Sequence, residues 1–493
     1  MAEKLLFLTG HLAEARLSGT LADVGLAEDS YAVRNVGIKV AALMTEKILK
    51  NRLEAPLDAT RVILPGRVRM DLKSVSDHFG VPFVLGPEEI IDLPQYLGRG
   101  GKPPDLSRYD INIFAEIVEA PEVPLGKLLE RAHRHKAAGA DVIDIGCRPD
   151  VPFPHLEVAV KAMKAEGFKV SVDSGDMDEL RRGAQAGADF VLSLDEDNLD
   201  VVAGTTCVPV LVPKEHGDLN SLIRAIEKAK ALGIAHLADP VLDPIHFGFM
   251  ASLERYAELR RRCPDVEILM GTGNLTELTE ADSQGLTAML LGICSELNIR
   301  NVLIVQVSPH TIRTVEEHDA ARRLMFRARE DNSLPKGYGG GLLSLHELRP
   351  FPQSPDEIAE AAAAIRDSNF RIEAAEDGVH IYNRVGHHVD VDPFELFGKL
   401  GVEDDGSHAF YLGYELAKAQ IARSLGKRYT QDRPLEWGVA ADKPDEDMVH
   451  HAPEGATLRA AREKAERERE KSSGTIEEKK IGGSASKPPH KGT

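Results

Sequence analysis

Through the middle of the chain, carboxylates recur at the downstream ends of short apolar runs. Asp144 precedes GCRP, Asp173 closes KVSVD, Ser193 and Asp195 lie in FVLSLD, Asp239 and Asp243 lie in ADPVLDPIHFGF, and Asn274 follows MGTG. A carboxylate can accept two parallel N–H bonds, so acids in this pattern suit a ligand with an amidine-like donor edge. The flat faces of such a ligand would stack on Phe247 or Phe249, and His246 is a further candidate. Each acid also has a plainer role. Asp144 and Asp173 could accept backbone N–H groups of the next loop, and Asp239 and Asp243, each followed by Pro, could form turns. His133 and His135 fall on an expected outer helix, facing solvent. The glycines Gly337 and Gly339 to Gly341 are not followed by GK[ST], so they read as a connection rather than a phosphate loop.

The acids gain meaning from the elements that carry them. Eight apolar segments, INIFAE, DVIDIG, KVSVD, FVLSLD, PVLVP, AHLAD, VEILMG and NVLIVQ, alternate with stretches of helical spacing between residues 108 and 330. Near-continuous apolar strands joined by crossover helices require a parallel sheet, and eight units in one domain close into a (β/α)8 barrel. In that fold the site lies at the C-terminal strand ends, where these acids stand. Gly139, Gly167, Gly187 and Gly233 are placed to end helices in the left-handed conformation.

Before the barrel, residues 1–100 carry LLFLTG, RVILPG and VPFVLG with an amphipathic stretch from Val36 to Lys50, the pattern of a small N-terminal α/β domain. After it, residues 331–360 form a Gly- and Pro-rich connection expected to lack regular structure. Residues 361–441 form a C-terminal α+β module, and residues 442–493 form a charged tail read as disordered. The net charge of -19 opposes nucleic acid and anionic bilayers. No apolar run reaches the roughly 20 residues of a membrane span, and charge and Gly come too early in MAEKLLFLTG for a signal peptide, so a cytoplasmic location is expected. Cys147, Cys207, Cys263 and Cys294 lack metal or disulfide spacing and are expected to be reduced.

The segments GADVIDIGCRP, FKVSVDSGDMDELRRGAQAGADFVLSLD and LDPIHFGF resemble, in collinear order, the dihydropteroate synthases and the related pterin-binding methyltransferases. With its flanking modules the whole chain is similar to the dihydropteroate-synthase-related proteins of archaea and methylotrophs, which use tetrahydromethanopterin. The resemblance implies a reduced pterin as ligand, held by Asp173 and Asp243, with Ser193 where an Asn usually sits and with Arg148 in the Arg-Pro of the second loop. It also marks departures. GTGNLTE replaces the Ser-Arg-Lys run, Asn274 instead matches the Asn by which pterin-dependent methyltransferases hold N5, AEIVEAPEV replaces the first-loop Thr-Pro-Asp-Ser-Phe, and SPHTIR retains only His310 and Arg313.

Two reactions and one non-catalytic role follow. As a synthase, the protein would join a pterin methyl pyrophosphate to an arylamine, with Arg148, Arg313 and His310 as catalytic groups and Mg²⁺ accompanying the pyrophosphate. As a methyltransferase, it would activate N5 near Asn274 and pass the methyl to a separate acceptor protein, because no corrinoid-binding Asp-x-His-x-x-Gly pattern is present. As a scaffold, it would bind pterin without catalysis. The family's pathway favours the synthase, and its barrels commonly pair as homodimers.

Overall fold

A computed structural model describes residues 3–149, 151–343, 350–435 and 437–438. The chain forms two compact units that part between Leu342 and Leu343.

The first unit opens with a four-stranded parallel sheet of β1 (Leu5–Thr9), β2 (Tyr31–Asn35), β3 (Arg61–Leu64) and β4 (Phe83–Leu85), in the order β2-β1-β3-β4. β1 is apolar from Leu5 to Leu8 because both its faces are covered. Leu6 and Leu8 enter one core with Val62 and Leu64, whereas Leu5 and Phe7 enter another with Leu17 and Leu21 of the helix His11–Val24. The expected amphipathic stretch from Val36 to Lys50 holds a 3-10 turn at Ala41–Leu43 and is α-helical only at its end, in Glu46–Arg52, where the Thr45 side chain accepts from the Ile48 N–H.

The eight expected strands follow as β5 (Asn112–Ile117), β6 (Val142–Gly146), β7 (Lys169–Asp173), β8 (Phe190–Leu194), β9 (Val208–Leu211), β10 (Leu237–Ala238), β11 (Glu267–Gly271) and β12 (Asn301–Ile304). All pair in parallel, and β12 returns to β5 to close a (β/α)8 barrel. Period-two alternation divides the strands between two cores. Ile113, Ile143, Val170, Val191, Ile268 and Val302 pack outward, whereas Phe114, Val142, Leu192, Val210, Leu237 and Leu269 fill the interior. The expected helix-ending glycines Gly139, Gly167, Gly187 and Gly233 all have positive φ.

Arg322, 1 % exposed, ties the last helix to the first barrel strand. Its guanidinium donates to Ile111 O at 2.7 Å and Gly139 O at 2.8 Å, pairs with Asp319 and Asp141, and stacks on Tyr109 with 3.5 Å to the ring centroid.

The second unit is an antiparallel meander of β13 (Arg371–Ala374), β14 (Val379–Tyr382) and β15 (His387–Asp390). Ile372, Val379 and Ile381 pack on Leu412, Leu416 and Ala419 of the helix Gly406–Ser424. Part of the connection expected to be irregular is a helix, Pro355–Ala364. Its capping box of Ser354 and Glu357 and its Pro at the first position favour helix despite the Pro-rich surroundings. The stretch DVDPFELFGKLG holds a short helix, Pro393–Phe397, capped by Asp392. The tail 442–493 lies outside the described residues.

Candidate active site at the barrel mouth

Alternation determines which polar side chains enter the barrel. On β5, Ile113, Ala115 and Ile117 pack outward, which turns Phe114 and Glu116 inward. The same parity turns Val142, Asp144 and Gly146 of β6 inward, and Ser171 and Asp173 of β7. In register, Glu116 lies beside Asp144, Asp144 beside Ser171, and Gly146 beside Asp173. The acids therefore stack in layers above the apolar interior, with the Asp173 layer nearest the mouth.

Their surroundings contain few compensating groups. Asp144 is fully buried. Its Oδ1 accepts from the Ser171 hydroxyl, and its Oδ2 has no hydrogen-bond partner. Burial pushes its carboxyl well above the usual range, and the charges of Asp173 and Glu116 push the same way. Asp173, partly exposed, accepts from Ser193 Oγ at 3.2 Å. Burial raises its pKa and the Ser193 hydroxyl opposes the rise. Ser193 reaches it from an irregularity in β8, where its own φ is +69°. Burial and then the charge of Asp173 push Glu116 up to about 7. Just after β10, Asp239 is pushed up to about 6 by burial, although the Tyr256 hydroxyl donates to it at 2.6 Å and the Val241 N–H at 2.7 Å. Acids this close cannot all ionise at neutral pH.

The other expected residues lie around this floor. Asp243, 4 % exposed, receives Arg255 Nη2 at 2.7 Å and faces His216 Nε2 at 3.4 Å, so its charge is already partnered. Gly248, at φ +121°, leaves room for that carboxylate, because a Cβ there would stand 2.9 Å from Asp243 Oδ2. Asn274, on the short helix Gly273–Thr276, donates its amide to Leu242 O at 2.9 Å, which links the loops after β11 and β10. Phe247 is 78 % exposed beside them, whereas Phe249 packs against the outer core.

The expected catalytic groups occupy the rim. Arg148 donates to Glu122 Oε1 at 2.7 Å, from the loop after β5. His310 bonds Thr276 O at 3.1 Å through Nε2, joining the loops after β11 and β12, and Arg313 precedes the helix Thr314–Glu330. Glu277 fastens that last loop, accepting from Val307 N at 2.6 Å, Ser308 N at 3.1 Å and Thr311 Oγ1 at 2.6 Å. The structure thus joins Asp173 to Ser193 and Asp243 to Asn274 by way of Leu242, while Arg148 and His310 bond to rim groups.

Of the two histidines expected to face solvent, His133 is exposed but His135 is half-buried, and burial pulls it down to about 4. It shares the face of the helix Leu125–Ala138 that buries Leu128 and Ala132, seven and three residues upstream. Glu116, Glu277 and Arg255 were not singled out from sequence. The alternation in NIFAEI is the signal that could have found Glu116. Among the described residues no cluster of three His, Cys, Asp or Glu side chains is disposed to hold a metal, and no helix is long and apolar enough to cross a membrane.

Residues 3–88 match the model of a family of unknown function, DUF6513. An uncharacterized protein of Methanocaldococcus jannaschii is 28 % identical, over 88 % of this chain and 99 % of its own length. Among solved structures, a Yersinia pestis dihydropteroate synthase with a pterin–sulfa conjugate is 22 % identical and is matched over 95 % of its length and 46 % of this chain, with a TM-score of 0.36. The Thermus thermophilus dihydropteroate synthase is 20 % identical over 93 % of its length and 44 % of this chain, with a TM-score of 0.34.

Proposed function

We propose that the barrel mouth binds a reduced pterin and that the protein is a dihydropteroate-synthase-like transferase joining a pterin methyl pyrophosphate to an arylamine. One observation carries the reading. Among the described residues, none of Glu116, Asp144 and Asp173 pairs with a Lys, Arg or His, so the floor offers acceptors without competing cations. A pterin's amino and ring N–H groups would supply the missing donors, with Asp173 as the direct acceptor, Ser193 beside it and Phe247 stacking on the exposed ring face. Asp243 and Asn274 would form the opposite wall.

In this reading Arg148, His310 and Arg313 would stabilise the departing pyrophosphate, and alignment of the amine would supply the remaining acceleration. Mg²⁺ would arrive on the pyrophosphate rather than reside in the protein. Such an ion keeps several waters and uses one or two carboxylates.

A second reading, methyl transfer from N5, is favoured by a specific contact. The Glu122 carboxylate engages Arg148, and an acid-rich mouth repels a polyanionic leaving group. Calorimetric titration with a reduced pterin, with and without pyrophosphate and Mg²⁺, separates the two. Pyrophosphate that tightens pterin binding supports the synthase. Pterin binding that is indifferent to pyrophosphate supports methyl transfer, and absence of pterin binding refutes both.

A further inference from the structure

We infer that Glu116 is the proton-carrying residue of the mouth, sharing one proton with Asp173 across Gly146 and handing it to a basic ring atom of the bound heterocycle. The delivery half rests on the pterin reading, whereas the shared proton does not.

The geometry begins at Gly146. A Cβ built there would fall on Glu116 Oε1, so the absent side chain is the space in which the Glu116 carboxyl lies. Gly146 is also the register partner of Asp173, so the two acids flank the same residue. Beneath them Asp144 is fully buried with Oδ2 unpartnered, an orphaned polar atom on the interior side of the pair. An acid floor with a buried orphan oxygen and no facing cation retains protons rather than charges.

The groups around Glu116 can be named element by element. Asp144 and the Ser171 hydroxyl face it from β6 and β7, and Asp173 with its Ser193 partner lies above. Asp239 lies within electrostatic reach of Asp173. Arg131, Arg134 and His135 of the helix Leu125–Ala138 border a cavity of about 340 Å³ with the Glu116 to Glu119 stretch, Gln306 and Val307. None of these bases enters the balance at Glu116, which responds to burial and to Asp173.

The step balances without a further reactant. The Glu116 O–H bond breaks with its electron pair left on the carboxylate oxygen, and an N–H or O–H bond forms on the ligand. The ionised Glu116 then faces a ring made more cationic, while Asp173 remains the acceptor for the ring's N–H edge. The reverse transfer restores the resting state.

The test uses the full chain and infrared difference spectra taken between about pH 5 and about pH 9, which bracket ordinary and raised carboxyls. The wild type is expected to show a protonated-carboxyl component titrating near pH 7, distinct from that of Asp239 near pH 6, and Glu116→Gln is expected to remove the former and leave the latter. Asp173→Asn, which removes the neighbouring charge, should move the midpoint down; this variant decides the matter if Glu116→Gln does not fold. A component that is absent from the wild type, or unchanged in Glu116→Gln, or fixed in Asp173→Asn overturns the shared proton. Delivery is read from infrared difference spectra of tetrahydropterin binding at about pH 6, because a proton passed from Glu116 to the ligand inside the complex never reaches the buffer. Wild type should lose the Glu116 protonated-carboxyl component on binding, and Glu116→Gln should show no such loss. Binding that leaves the component in place in wild type overturns delivery alone, whereas failure of tetrahydropterin to bind overturns the pterin reading and delivery but leaves the pH titration to decide the proton.

Discussion

Replacing Glu116 with Gln should stabilise the barrel at neutral pH and leave it unchanged in acid. In the unfolded chain the carboxyl has its ordinary value of 4.5, and in the fold it is pushed up to about 7. The folded state therefore binds this proton more tightly, and the unfolded state is favoured as pH rises. The sign is that of a raised acid. The destabilisation is absent below about pH 4.5, grows between about pH 4.5 and about pH 7, and is complete above that. Over about two pKa units at about 1.4 kcal/mol each, the group disfavours folding by about 3 kcal/mol at pH 7. Gln keeps the shape without the charge, so urea midpoints followed by circular dichroism should rise at about pH 8 and coincide with wild type near pH 4. A variant equally displaced at both pH values, or destabilised at both, would refute the account of the floor.

Other perturbations test separate parts of the structure. Arg322→Ala leaves Asp141 and Asp319 without their shared cation and removes the donor to Ile111 O and Gly139 O; a loss of about 3 kcal/mol or more is expected in denaturant unfolding. A loss below about 1 kcal/mol would show that the clamp contributes little. Tyr256→Phe removes the hydroxyl that holds Asp239 down, so the Asp239 carboxyl rises above about 6 and stability falls by about 1 to 3 kcal/mol, more at pH 8 than at pH 5. Equal loss at the two pH values would contradict the assigned contact. Glu277→Ala frees the amides of Val307 and Ser308, whose hydrogen exchange should quicken by about tenfold while exchange in β6 and β7 stays unchanged.

The barrel was legible because most of its strands carry apolar residues on two faces for two different cores, and β7, whose inward positions are polar, still sets Val170 and Val172 against the outer one, so the segments from INIFAE to NVLIVQ stand out against the polar helices. The same logic hides β2. It is an edge strand whose residues alternate between half-buried and exposed, so YAVRN never forms an apolar run. Asp173 and Asp243 could be named from their strand-end positions, but their different conditions could not. Arg255 reaches Asp243 from across a helical turn and a loop, and nothing in local spacing announces that pairing. Glu116 is visible as an acid at an inward position of NIFAEI, yet AEIVEAPEV departs from the family's first loop, so the resemblance assigns this residue no role. The helix Pro355–Ala364 was masked by the prolines around it, although Ser354 and Glu357 stand at capping-box spacing.

Heat of binding is the most direct test of the central claim, with a reduced pterin titrated into wild type and into Asp173→Asn at pH 7. Among the described residues only the Ser193 hydroxyl bonds the Asp173 carboxylate, so removing its charge should leave the fold intact while taking away the acceptor for the ring's N–H edge. The account predicts saturable binding to wild type and a loss of about tenfold to a hundredfold in the variant, the range of a charge-assisted bond of about 1.5 to 3 kcal/mol. Equal affinity in the two proteins, or no heat with either, would contradict a pterin held at the mouth of this barrel.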